Sequence, residues 1–158
     1  MYTTLIHQYQ LVLSSREAVF TYLETLKPED LVKPVASFNN ESIGSMLIHV
    51  ADTYTSWLVN FAMQQNRPLG TSDHYKDLPS IRANFEQVNL IVNDFLHHFT
   101  DKLNTPLTLP KRDGVELTLT PLQLFTHVVT HEFHHKGQAV NMSRQLGYIP
   151  VDTDVIRS

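Results

Sequence analysis

Cysteine is absent from all 158 residues. That absence excludes disulfides, thiolate metal sites and cysteine nucleophiles together, so any bound metal must be held by histidine or carboxylate. Glycine is scarce, with five in the chain, and no phosphate-cradling or dinucleotide-binding loop is present. Positive charge is also short: 12 Lys and Arg against 16 Asp and Glu leave a net charge of -4. A general nucleic-acid binder needs a basic surface, so that class is excluded. No apolar run approaches the ~20 residues that span a bilayer. The opening Met1-Tyr2-Thr3-Thr4-Leu5 lacks the pattern of a secretory signal. With 42% hydrophobic and 18% charged residues, the expectation is one cytoplasmic globular domain over 1–158, with no membrane partner.

What is present is helical periodicity, in four segments. The first runs from about Tyr2 to Leu26 with a stripe of Leu5, Tyr9, Val12, Val19 and Leu23, and Lys27-Pro28 ends it because the residue before proline avoids the helical region. The second opens near Ser42, with Asn39, Asn40 and Ser42 as candidate caps. It carries Ile43, Met46, Val50, Tyr54, Trp57 and Phe61 inward and stops at Pro68 and Gly70. The third begins around Pro79-Ser80 and repeats Ile81, Phe85, Val88, Val92, Phe95 and Phe99. The fourth starts with Thr120 as cap and Pro121 at the first helical position, and ends at Gly147. Between the last two, Leu107–Leu109 and Val115–Leu119 alternate apolar and polar residues around Asp113-Gly114, the pattern of a β-hairpin. The predicted fold is an all-α antiparallel four-helix bundle with a short hairpin between helices 3 and 4, followed by an extended tail after Tyr148.

Function is written most clearly in the last helix. His127, His131, His134 and His135 fall within nine residues of one another, out of nine histidines in the chain. His131 and His135 are one turn apart and present their imidazoles on one face, where they can grip one ion. His127 and His131 form a second candidate pair. His127 and His135 are about 12 Å apart along the axis at ~1.5 Å per residue, so the three cannot share one ion, and a complete site needs a ligand from another helix. His49 is the best candidate: it is the histidine of the second helix and sits among Met46, Leu47, Val50 and Trp57, where an unsatisfied imidazole is costly. His7, His74, His97 and His98 lie at helix ends or in a loop, where solvation explains them.

His131-Glu132-Phe133-His134-His135 also satisfies the HExxH pattern of zinc proteases, in which the glutamate activates metal-bound water. The 23 residues after His135 contain no histidine or glutamate to supply the third ligand, which argues against that reading.

Two separated motifs, Glu41-Ser42-Ile43-Gly44-Ser45-Met46-Leu47-Ile48-His49-Val50-Ala51-Asp52 and His131-Glu132-Phe133-His134-His135-Lys136-Gly137-Gln138, resemble those of the DinB/YfiT-like family of metalloenzymes, and the resemblance runs over nearly the whole chain. It implies a metal triad of His49, His131 and His135, the trio that geometry also favours. Lys136 stands where the family has arginine, which would weaken a bidentate carboxylate contact and leave the ligands untouched. Gly137, in mid-helix, is expected to permit close helix approach near the site.

Three neutral imidazoles leave a divalent ion with an open coordination position, as in catalytic rather than structural sites. Zinc and nickel are the leading metals and iron is compatible with the same donors. The resemblance implies low-molecular-weight thiol transfer on a small-molecule substrate, with metal-dependent hydrolysis and non-catalytic metal binding in a stress response as the alternatives. It also implies a homodimer, for which the aromatic residues of the first helix offer a face. Trp57 is expected as core or as a wall of the metal cavity; Arg16, at a stripe position between Val12 and Val19, is expected to snorkel to the surface, with a substrate carboxylate in the bundle as the alternative. Glu132 should face a neighbour or solvent, about 100° around the helix from His131. Asp52, one turn from His49, is a candidate acceptor orienting that imidazole.

Overall fold

The computed structural model describes residues 1–71 and 76–157; His74 lies outside the described residues. Four long helices carry the fold: α1 (Tyr2–Leu23), α3 (Ile43–Tyr54, continued by a π-helical segment, Thr55–Ala62), α4 (Leu78–His98) and α5 (Pro121–Gln145). A single-turn α2 (Pro28–Leu31) and a 3-10 turn (Ala36–Phe38) join α1 to α3. α1 and α3 each pack against both α4 and α5, which places them diagonally across a four-helix bundle.

Local chemistry sets these boundaries. Ser42 Oγ accepts from the Ser45 amide at 3.1 Å while Ser45 Oγ accepts from the Ser42 amide at 2.9 Å, a reciprocal cap that starts α3. Asn39 and Asn40 are left-handed residues of the preceding loop (φ 54° and 61°), not caps. Asp77 caps α4 at the Ser80 amide, 2.8 Å away. Thr120 and Gln123 cap α5 reciprocally, with Pro121 in the first turn as its sequence position predicts. Gly114 (φ 80°) and Gly147 (φ 96°) occupy the left-handed positions required of the hairpin turn and the helix stop.

Two expected boundaries move. α1 ends at Leu23 rather than Leu26, and Pro28 opens the short α2 instead of only closing a helix. The second long helix ends at Ala62, well before Pro68, because Gln64 adopts a left-handed conformation (φ 50°) after a final π-helical stretch. Periodicity reports which face is buried and is blind to such changes of helical winding.

The core is filled by Tyr54, Phe95, Phe125, Ile43, Leu58 and Ile81, all under 2% exposed. Tyr9, Phe20 and Tyr22 of α1 are buried in the same core, so these aromatics are spent within the chain rather than displayed on an outer face. β1 (Leu107–Pro110) and β2 (Glu116–Leu119) pair antiparallel with Leu107 opposite Leu119 and Leu109 opposite Leu117. Their leucines are half-buried against the bundle, and β1 packs on the π-helical segment. No described helix is long and apolar enough to cross a membrane.

The tail after Tyr148 is extended and strapped down. Tyr148 donates to Asp30 Oδ2 at 2.6 Å, and the Thr153 carbonyl accepts from Ser15 Oγ at 2.6 Å and from Lys136 Nζ at 2.7 Å.

Candidate metal centre

His49, His131 and His135 each present a ring nitrogen such that all three atoms lie within 4.8 Å of one another. Ring centroids are 5.0 Å apart for His49 and His131, 4.8 Å for His49 and His135, and 4.3 Å for His131 and His135. The capped α3 delivers the first imidazole, and the 3.6-residue repeat of α5 delivers the other two from one face. The Nε2 atoms of His131 and His135 face each other at 3.1 Å. Metal–nitrogen bonds of ~2.0–2.1 Å hold two imidazole nitrogens about 3.3 Å apart in a tetrahedral site, so the pair is already spaced for one ion.

The donor set suits a cation on other grounds. His135 Nδ1 lies 2.6 Å from Gln138 Oε1; a proton on Nδ1 bonds that oxygen and leaves the Nε2 lone pair free to ligate. Burial, reinforced by the neighbouring imidazoles, pulls the His131 pKa down to about 4, and burial lowers that of His135. Both are therefore neutral near pH 7, the form a metal requires. His131 Nδ1 is buried and has no hydrogen-bond partner among the described residues.

Burial differs from the expectation at one candidate ligand. His49 is exposed, whereas its sequence neighbours Ile48 and Val50 are buried. Its ring stands at the mouth of a cleft of about 420 Å3 that it lines with Glu41, Met46, Asp52 and His135. Satisfying a desolvated imidazole is therefore not what holds it there. Asp52 shares the cleft but does not orient His49: its Oδ1 accepts from the Gly70 amide at 2.7 Å. Burial raises the Asp52 pKa.

Arg16 does not snorkel. It is 6% exposed and donates from Nε and Nη2 to the two oxygens of Glu132, both at 2.7 Å. Its Nη1 donates to Asn89 Oδ1 at 2.7 Å, and Tyr54 donates to Glu132 Oε2 at 2.5 Å. The guanidinium also lies 4.7 Å from the centre of the Phe85 ring. One ionic network thus ties together all four long helices. Burial opposes charge on Arg16, but the adjacent Glu132 carboxylate outweighs it and holds the guanidinium protonated; burial pushes the Tyr9 hydroxyl up to about 12. Stripe periodicity put Arg16 inward, and the missing information was that Glu132, facing away from the metal side of α5, would meet it. With both oxygens of Glu132 occupied, the HExxH reading fails geometrically.

Three other residues singled out by the sequence take defined places. Trp57 is half-buried and packs against the hydrophobic core, edge-on to His127 at 5.2 Å between centroids; it does not line the cleft beside His49. Gly137 is exposed with no atom within 4 Å of where a Cβ would stand, so it permits no close helix approach. Lys136 meets no carboxylate among the described residues: its Nζ donates to Ser15 Oγ and the Thr153 carbonyl and lies 3.8 Å from the centre of the Phe133 ring. His127 and His134 flank the triad, 5.7 Å from His131 and 4.9 Å from His135 by ring centroids, and are not part of it.

A helical bundle presenting an open set of three imidazoles from two helices defines a class of candidate metal-binding proteins. The DinB family model matches residues 1–158, and the chain belongs to the DinB family. It is similar to the uncharacterized protein YizA of Bacillus subtilis (strain 168), 26% identical over 142 residues that cover 89% of this chain and 87% of YizA. Its fold is similar to the crystal structure of a DinB-like protein from Bacillus cereus ATCC 10987, with a TM-score of 0.67 at 16% identity, over 96% of this chain and 99% of that one.

Proposed function

We propose that this protein holds a divalent metal on His49, His131 and His135 and uses it to transfer a low-molecular-weight thiol onto an electrophilic small molecule. The observation that carries the proposal is the convergence of three imidazole nitrogens within 4.8 Å of one another, two of them, on His49 and His135, belonging to residues that line an open cleft. Among the described residues no carboxylate or further imidazole joins them as a fourth ligand. When bound, such an ion acidifies a coordinated thiol.

The chain's own groups supply the rest. Gln138 fixes the His135 ring with Nε2 toward the site. Of the two carboxylates on the cleft wall, Glu41 and Asp52, Asp52 takes the thiol proton and passes it to solvent, since burial raises its pKa and makes it the better proton acceptor. The thiolate sulfur then bonds to the electrophilic carbon as the leaving group departs with its electron pair. Zinc and nickel are the favoured ions, and all-nitrogen ligation also admits ferrous iron. The absence of cysteine leaves no protein thiol to compete with the substrate for the metal or the electrophile.

Metal analysis of purified protein, with titration of zinc and nickel, tests the site. Near-stoichiometric binding is expected and is lost in His131→Ala. Conjugation of monochlorobimane or chlorodinitrobenzene to bacillithiol, mycothiol, glutathione or coenzyme A tests the chemistry. Metal binding without turnover on any thiol overturns the transferase reading and leaves a metal-binding protein.

A further inference from the structure

A second cavity, of about 370 Å3, opens between the π-helical segment and the hairpin turn, and shares no lining residue with the metal cleft. Its volume falls in the ~300–1,000 Å3 range of small-molecule pockets. Trp57 and Phe61 form an aromatic wall with ring centroids 5.5 Å apart. Lys111 and Arg112 close the opposite side from the hairpin turn, and no carboxylate lines the cavity among the described residues.

Two further features point to an occupant. The backbone of this wall is π-helical over the eight residues Thr55–Ala62, whereas π geometry is rare and concentrates at functional positions. Arg112 has no carboxylate partner among the described residues. Its Nη2 reaches across the cavity mouth to Asn66 Oδ1 at 3.3 Å and the Arg67 carbonyl at 3.4 Å, both long contacts. A guanidinium has five N–H donors, so most of this one's are free for a ligand. Lys111 is already paired with Asp113 at 2.9 Å.

We propose that this cavity binds a small carboxylate with an aromatic tail, the ring against Trp57 and Phe61 and the carboxylate on the Arg112 fork. Planar apolar faces select the tail, and a bidentate guanidinium selects a carboxylate over a neutral amide. The site stands whether or not the metal centre transfers thiols. It adjoins that centre through a row of rings, since His127 contacts Trp57 at 5.2 Å and His131 at 5.7 Å.

Trp57 is the single tryptophan, so fluorescence excited at the red edge of the indole band, where the six tyrosines do not absorb, reports on this wall. Titration with 4-phenylbutyrate is expected to give a saturable change, with 4-phenylbutanamide roughly tenfold weaker for loss of one charge-assisted contact. Arg112→Gln, at an exposed turn that does not carry the fold, is expected to bring the acid down to the affinity of the amide. The proposal is overturned by an unsaturable response to the acid, by equal affinity for acid and amide, or by an Arg112→Gln protein that still distinguishes them.

Discussion

Glu132 is clamped by Arg16 through two N–H···O bonds of 2.7 Å although the two residues are 116 positions apart in sequence. Glu132 sits next in the chain to the candidate ligand His131, so the ionic link that holds the helices together also fixes the register of the α5 face that carries His131 and His135. A glutamate in an HExxH string that elsewhere would face a metal is here a structural anion.

Removing one member of this pair leaves a buried charge unmatched, which costs about 3–5 kcal/mol. Arg16→Met and Glu132→Leu are each expected to lower stability by that amount in urea unfolding. The double variant is expected to lose much less than the sum, because no orphaned charge remains. Additive losses would mean that the two residues are not coupled.

The low His131 pKa gives the apo protein an acid-side weakness. The folded value, about 4, lies below the ordinary value of 6.5, so between these pH values the unfolded chain takes up a proton that the folded one refuses. Apo stability is therefore expected to be intact above pH 6.5 and to fall progressively from there to about pH 4. His135 contributes in the same direction. Thermal melts of the wild type and His131→Phe across this range check the sign: the variant should show a shallower decline.

Gln138 is expected to matter for metal affinity and little for folding. Gln138→Leu removes the acceptor 2.6 Å from His135 Nδ1, and loss of such an orienting partner typically costs about 10–100-fold in affinity. Competition with a chromophoric chelator measures it, and wild-type affinity in the variant would refute the orienting role.

Gly137→Ala is expected to stabilise the protein by about 0.5–1 kcal/mol, since an exposed mid-helix glycine carries an entropic penalty and the added methyl meets open space. Denaturant midpoints check this, and zinc affinity should not change. A destabilised variant would mean that another surface covers this face.

The sequence by itself determined the bundle, the cap at Thr120, the hairpin and the His131–His135 pair, because each is a local signal of period, turn chemistry or one-turn spacing; it left Ser42 one of three candidate caps and reached His49 as the second helix's histidine and through a family resemblance. It put Arg16 at a stripe position, yet a charge there led to the expectation that it would snorkel outward. Only the tertiary structure decided that Arg16 is neutralised by Glu132, that His49 stands exposed at a cleft mouth, that Gly137 faces outward, and that the second long helix finishes as a π-helix beside a separate cavity. These outcomes depend on what an opposing helix or hairpin presents at the same height. Such pairings are set by packing between residues tens of positions apart, and no pattern along a single segment encodes them.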